Sequence, residues 1–189
     1  MTNYYHPSLI LIFVISLFTT HLQAQDKSEE LLVTHFTLNK TNPIKRVRLR
    51  KKKINALTPK IIKFTQLEVL DLTMNNLSTL PPEVGKLKNL KQLSLTSNKF
   101  TTLPSFLGKL TGLLELNVAS NNFTTIPPVI FKMTNLEYLD LSFNKIKKVS
   151  SGIAKLKKLQ YLQVDHCDLP ESEKKKLKKL LPNTKIKFN

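Results

Sequence analysis

Leu67 to Leu77 reads LEVLDLTMNNL, and the pattern returns as LKQLSLTSNKF from Leu90, LLELNVASNNF from Leu113 and LEYLDLSFNKI from Leu136. Successive copies stand 23 residues apart with no insertion, and the same step reaches LQYLQVDHCDL at Leu159 and IKRVRLRKKKI at Ile44. In each copy the apolar residues alternate, as in Leu70 and Leu72 or Leu93 and Leu95, so they share one face of a short strand. A single strand of this kind cannot bury its face. Copies stacked about 4.8 Å apart pair their strands into a parallel sheet with one apolar column behind it.

Between the copies run LSTLPPEVGKLKN, FTTLPSFLGKLTG and FTTIPPVIFKMTN, beginning at Leu77, Phe100 and Phe123. Their apolar residues, Leu77, Leu80, Val84 and Leu87 in the first, close the column from the far side. Pro81, Pro82, Pro104, Pro127 and Pro128 have a fixed φ and no N–H, which suits a turn or a first helical residue and excludes a continued strand. Asn75, Asn98, Asn121 and Asn144 fall where the chain turns inward, and a buried amide there has donors and an acceptor for backbone groups outside the ladder. Cys167 takes the same slot with a thiol, a weaker partner.

This motif, L-x-x-L-x-L-x-x-N/C-x-L with an L-P-x-x-x-x-x-L linker, resembles the leucine-rich repeat family, and within it the Ras-suppressor-like subclass with 23-residue repeats. The resemblance implies an α/β solenoid with a curved parallel sheet on the concave face and short helical or irregular segments on the convex face. It also implies a non-catalytic module that binds a protein or peptide. Separately, the chain is expected to be a monomer.

The organisation expected is a signal peptide over 1–24, an N-terminal capping segment over 25–43, repeats over 44–169 and a C-terminal helix and strand cap over 170–189. Residues 1–24 contain no Asp, Glu, Lys or Arg, and the apolar run Leu9 to Phe18 would span about 15 Å as a helix, half a bilayer core. Cleavage near Ala24 would leave an exported chain, whether secreted, periplasmic or held at the cell surface; retention as a tether is the other reading. Leu31 to Phe36 is the expected capping strand or helix. Pro170 to Leu181 carries Leu177, Leu180 and Leu181 at helical spacing, and Ile186 and Phe188 alternate like a last strand.

Composition narrows the chemistry. One Cys in 189 residues makes no intramolecular disulfide, and His6, His21, His35 and His166 are not spaced as metal ligands. There is no G-x-S-x-G or H-E-x-x-H and only 4 Gly, so no catalytic residue, metal or cofactor is expected. Cys167 beside His166 and Asp165 has the residue types of a nucleophile and base, but neighbours in an extended strand point to opposite faces.

The net charge is +17, from 30 Lys+Arg against 13 Asp+Glu. Taken in windows, residues 64–144 balance, and the excess lies in 25–63 and 145–189. Arg46, Arg48 and Arg50 alternate with buried Val47 and Leu49 and share the exposed sheet face, with Lys51 and Lys53 in the following turn. They are candidates to hold an anionic polymer or membrane surface through phosphate, sulfate or carboxylate groups; equally, they form a charged cap that protects a sheet edge. Nucleic acid fits poorly because few aromatics interleave with these bases. The second candidate site is on the concave face, where Tyr138 and Tyr161 occupy equivalent positions on adjacent strands. Glu115, Asp140, Phe143, Gln163 and His166 surround them, and aromatic rings beside polar groups favour interface contacts.

Overall fold

The computed structural model describes residues 43–189. The expected signal peptide and nearly all of the expected N-terminal cap lie outside the described residues. Alternation of apolar and polar residues produces seven short strands, β1 (Arg46–Arg48), β2 (Val69–Asp71), β3 (Gln92–Ser94), β4 (Glu115–Asn117), β5 (Tyr138–Asp140), β6 (Tyr161–Gln163) and β7 (Lys185–Lys187). They form one parallel sheet in sequence order. Val47, Leu70, Leu93, Leu116, Leu139 and Leu162 stand opposite one another in turn, and Ile186 completes the row. The final step, Tyr161 to Lys185, is one residue longer than the others.

Each linker packs its apolar residues under the sheet through a 3-10 turn: Pro59–Lys63, Pro82–Lys86, Ser105–Lys109, Pro128–Lys132 and Ser151–Lys155. Pro82 and Pro128 open their turns, where a missing N–H costs nothing, while Pro81, Pro104 and Pro127 stand just outside. Thr58 and Ser150 instead cap with their hydroxyls, accepting from Lys60 and Gly152 N–H. Phe100 and Phe123 and the leucine rows are fully buried in one continuous core.

Successive turns approach closely by pairing a large group with a glycine. A Cβ on Gly85 would lie 2.6 Å from the Phe106 carbonyl oxygen, and one on Gly152 only 2.5 Å from the Phe131 ring. Phe131 is buried because Gly152 in the next unit leaves room for its ring.

The asparagines form a ladder between units. Asn98 Oδ1 accepts from Leu77 N–H at 3.0 Å, while its Nδ2 donates to Leu72 O and Leu95 O, each at 3.0 Å. Asn75, Asn121 and Asn144 repeat this arrangement, so Leu72, Leu95 and Val118 each present a carbonyl that accepts from two amides. At Cys167 a thiol takes the place of the amide, its Sγ donating weakly to Leu141 O at 3.3 Å. Cys167→Asn is therefore expected to raise stability by about 1 kcal/mol, read as a higher denaturation midpoint; an unchanged or lower midpoint would contradict the role of the slot.

At the C-terminus, α1 (Glu171–Leu180) replaces the 3-10 turn, with Pro170 just before its first residue. Leu177 and Leu181 are buried on the core, and the Glu173 carboxylate accepts from Val149 N–H at 2.9 Å, tying the helix to the preceding unit. Phe188 lies beneath Lys174 and Lys178, whose Nζ atoms are 5.9 and 5.5 Å from the ring centroid.

The candidate binding face

The outward residues of the strands differ from a simple exposed polar surface. Stacked strands bring short polar side chains close enough to bond sideways, and they form a chain across the sheet. Thr73 Oγ1 donates to Asp71 Oδ1 at 2.5 Å and pairs with Ser94 Oγ at 2.9 Å; Thr96 Oγ1 donates to Asn117 Oδ1 at 2.6 Å. Asn117 Nδ2 donates to Asp140 Oδ2 at 3.2 Å, and Ser142 Oγ to Asp165 Oδ1 at 2.7 Å. Asp140 is consequently only 8% exposed, with its other oxygen accepting from Ser142 N–H. This corrects the expectation that Asp140 is open to a ligand. It holds the face together and orders its neighbours, as Thr73 and Asp165 do, also buried.

Tyr138 and Tyr161 do stand side by side, paired across β5 and β6. Tyr138 is half-buried and Tyr161 is exposed, with Lys185 Nζ 5.8 Å from its ring centroid. Burial, then the negative charges of Asp140, Glu115 and Asp165, push the Tyr138 phenol above its ordinary pKa, so it remains a hydrogen-bond donor. Glu115 is exposed and Gln163 half-buried, both on the same face.

Phe143 and His166 lie beyond the strands, their rings stacked with centroids 4.1 Å apart and planes 8° from parallel. Each is in left-handed backbone, φ 54°, as are Lys51, Met74, Ser97 and Ser120 at the equivalent places. This geometry lets each residue's N–H reach the next unit: Ser97 to Ala119 O, Phe143 to Asp165 O, both at 2.9 Å. At His166 the corresponding N–H donates to the Asn189 side chain. Because these residues are not glycine, nothing in the residue types signals the conformation. Met74, Phe143 and Tyr161 are the exposed large hydrophobic residues among those described, and all belong to strands or to the turns directly after them.

Burial acts to raise the Asp165 carboxyl, but bonds from Ser142, from its own backbone and from His166, with the charge of Lys187, hold it below the usual range. His166 Nδ1 faces Asp165 Oδ2 at 3.4 Å, whereas the Cys167 thiol faces Leu141 O, and burial pushes that thiol up. The pair diverges, though not for the reason read from an extended strand, since His166 is in left-handed backbone. Arg46, Arg48, Arg50, Lys51 and Lys53 are all exposed around β1. Arg50 Nε is 3.6 Å from Asp71 Oδ2, and Arg48 lines a shallow groove with Asp71, Gln92, Ser94 and Glu115. No group of three His, Cys, Asp or Glu able to hold a metal occurs among the described residues, and no helix there is long and apolar enough to cross a membrane.

A single parallel sheet, backed by a file of turns and tied by a side-chain amide ladder, defines a repeat solenoid with one extended face available for recognition. Two models for leucine-rich repeats match the sequence, one over residues 65–109 and the other over 111–169. The chain belongs to the leucine-rich repeat family. Among solved structures, it resembles the plant peptide hormone receptor RGFR1 in complex with RGF2, with 30% identity and a TM-score of 0.61 over 76% of this chain and 24% of that one. A leucine-rich repeat protein of Leptospira interrogans is 26% identical, with a TM-score of 0.42 over 89% of this chain and 58% of that one. The chain thus spans less than two thirds of either protein. No curated protein matches it significantly in sequence.

Proposed function

We propose that this chain is a non-catalytic, exported recognition module of the Ras-suppressor-like subclass, and that it binds a protein or peptide across the C-terminal half of its concave face. The observation that carries this reading is the aromatic group at that end. Exposed Tyr161 stands beside Tyr138, and the stacked Phe143 and His166 lie in the same two units, on a face whose polar side chains are fixed by lateral bonds. Rigid rings with little entropy to lose are effective anchors, and a fixed surround lowers the cost of ordering the interface. The peptide-bound receptor among the similar structures supports the same class of ligand. Export rests on the uncharged, apolar composition of residues 1–24.

The test is the double substitution Tyr138→Ala with Tyr161→Ala, assayed on partners captured by the wild-type chain. It is expected to leave the denaturation midpoint nearly unchanged and to abolish capture, since the two rings together contribute roughly 2 kcal/mol or more once an interface closes over them. Replacing Arg46, Arg48 and Arg50 with Gln is expected to remove only a salt-sensitive part. Loss of capture in the arginine variant, with retention in the tyrosine variant, would move the site to β1.

A further inference from the structure

Charge in this molecule is divided across its two sides as well as along its length. The strand-bearing stretches 67–77, 90–100, 113–123, 136–146 and 159–169 hold three lysines and seven acids. The turn-bearing stretches 55–66, 78–89, 101–112, 124–135 and 147–158 hold eleven lysines and one acid, Glu83. A window running along the chain averages the two sides, which is why the middle repeats read as neutral.

Five of those lysines are in register. Lys63, Lys86, Lys109, Lys132 and Lys155 each close a 3-10 turn, and each is exposed. Consecutive turns touch, so the five make one file along the back of the sheet. The stem of Lys132 packs against the preceding turn, its Cδ 2.9 Å from where a Cβ on Gly108 would stand. None of the eleven lysines forms an ion pair among the described residues. A lysine at the end of a turn gains a little from the local backbone dipole. That gain accounts for one cation per turn; Lys88 and Lys158 are engaged otherwise, their Nζ atoms donating to Lys109 O at 3.0 Å and Asn135 Oδ1 at 2.8 Å, and Lys60, Lys147, Lys148 and Lys157 remain unexplained. It also leaves unexplained why the acids stay on the other side.

We infer that this file is a second binding surface, and that its ligand is a linear anionic polysaccharide bearing sulfate or carboxylate groups, laid along the turns. Cations repeating once per unit match an anion that repeats along a chain. Among the described residues the exposed large hydrophobics, Met74, Phe143 and Tyr161, all lie in the strand-bearing stretches, while on the turn side Ile62, Phe64 and Phe106 are partly buried against the core, so no fully exposed ring is offered there to a nucleic-acid base and no fully exposed apolar side chain to a bilayer. Ser78, Thr79, Thr101, Thr102, Thr124 and Thr125, in the same turn-bearing stretches, are exposed and carry neutral hydroxyl donors and acceptors suited to sugar hydroxyls.

The experiment measures binding of the full chain to heparin, at several salt concentrations, with neutral dextran as control. Substitution of the five file lysines by Gln is expected to weaken binding about tenfold or more and to flatten its dependence on salt. The matching Lys→Arg variant, which keeps the charge, is expected to bind like the wild type and guards against a loss through misfolding. Two further probes are phosphatidylserine vesicles and a single-stranded DNA homopolymer, both expected to bind more weakly than heparin. The inference is overturned if the Gln variant binds heparin as tightly as the wild type. It is equally overturned if Gln at Lys174, Lys175, Lys178 and Lys179 produces the loss instead, or if vesicles or DNA are the preferred ligand. None of these outcomes depends on the tyrosine face, whose partner capture is scored separately.

Discussion

Asn98→Ala is expected to lower the unfolding free energy by about 1–3 kcal/mol, and Ser97→Ala, one residue earlier, by about 0.5 kcal/mol or less. The difference follows from what each side chain serves. Leu72 O and Leu95 O each keep a second amide when Asn98 is removed, from Asn75 and Asn121 respectively. Leu77 N–H has Asn98 Oδ1 alone, and its loss leaves a buried donor unpaired. Ser97 contributes its N–H to the ladder through the backbone, which alanine retains. In hydrogen exchange, protection should fall first at Leu77 and then in the two adjoining units, because each unit leans only on its neighbours. Equal denaturation midpoints for the two variants would show that the amide is dispensable.

The second large effect is expected at a glycine. Gly85 has ordinary negative φ, so alanine there would normally stabilise slightly by restricting the unfolded chain. Its Cβ, however, would stand 2.6 Å from a backbone oxygen of the next turn, which cannot swing aside as a side chain can. Gly85→Ala is therefore expected to cost about 1–3 kcal/mol. Gly112→Ala meets only the flexible end of Lys91 at 3.3 Å and Lys88 O at 3.4 Å, and should be neutral or mildly stabilising. Thermal melts of the two variants decide the matter: a stabilised Gly85→Ala would mean that the turns can spread apart freely.

The repeating leucines, the prolines and the asparagines made the solenoid legible in the sequence, because each answers a local need that recurs in every unit. The parallel sheet of stacked strands is where that reading placed it. What it could not show was anything set by contact between units. Asp140 looked free because alternation marks it as outward, yet outward residues on strands this close bond to one another. The stacking of Phe143 on His166 depends on a backbone conformation usually signalled by glycine, and these positions hold none. Gly85 and Gly152 gave no signal either, since their role lies in what sits on them from the adjoining unit. The face-wise division of charge was hidden by counting along the chain.

The left-handed positions carry a further consequence. Lys51, Met74, Ser97, Ser120, Phe143 and His166 share nearly the same φ, between 53° and 58°, although their side chains have little in common. The conformation is sustained by main-chain bonds, so the identity of the side chain is left open, except that none of the six is branched at Cβ, where crowding would be worst. Glycine would relieve the strain and leave the position blank. The row therefore behaves as a set of interchangeable letters on a fixed line: single substitutions can rewrite what the edge of the face presents while the architecture stays untouched. Divergence among descendants of this chain should accumulate there first, drawn from the unbranched residues.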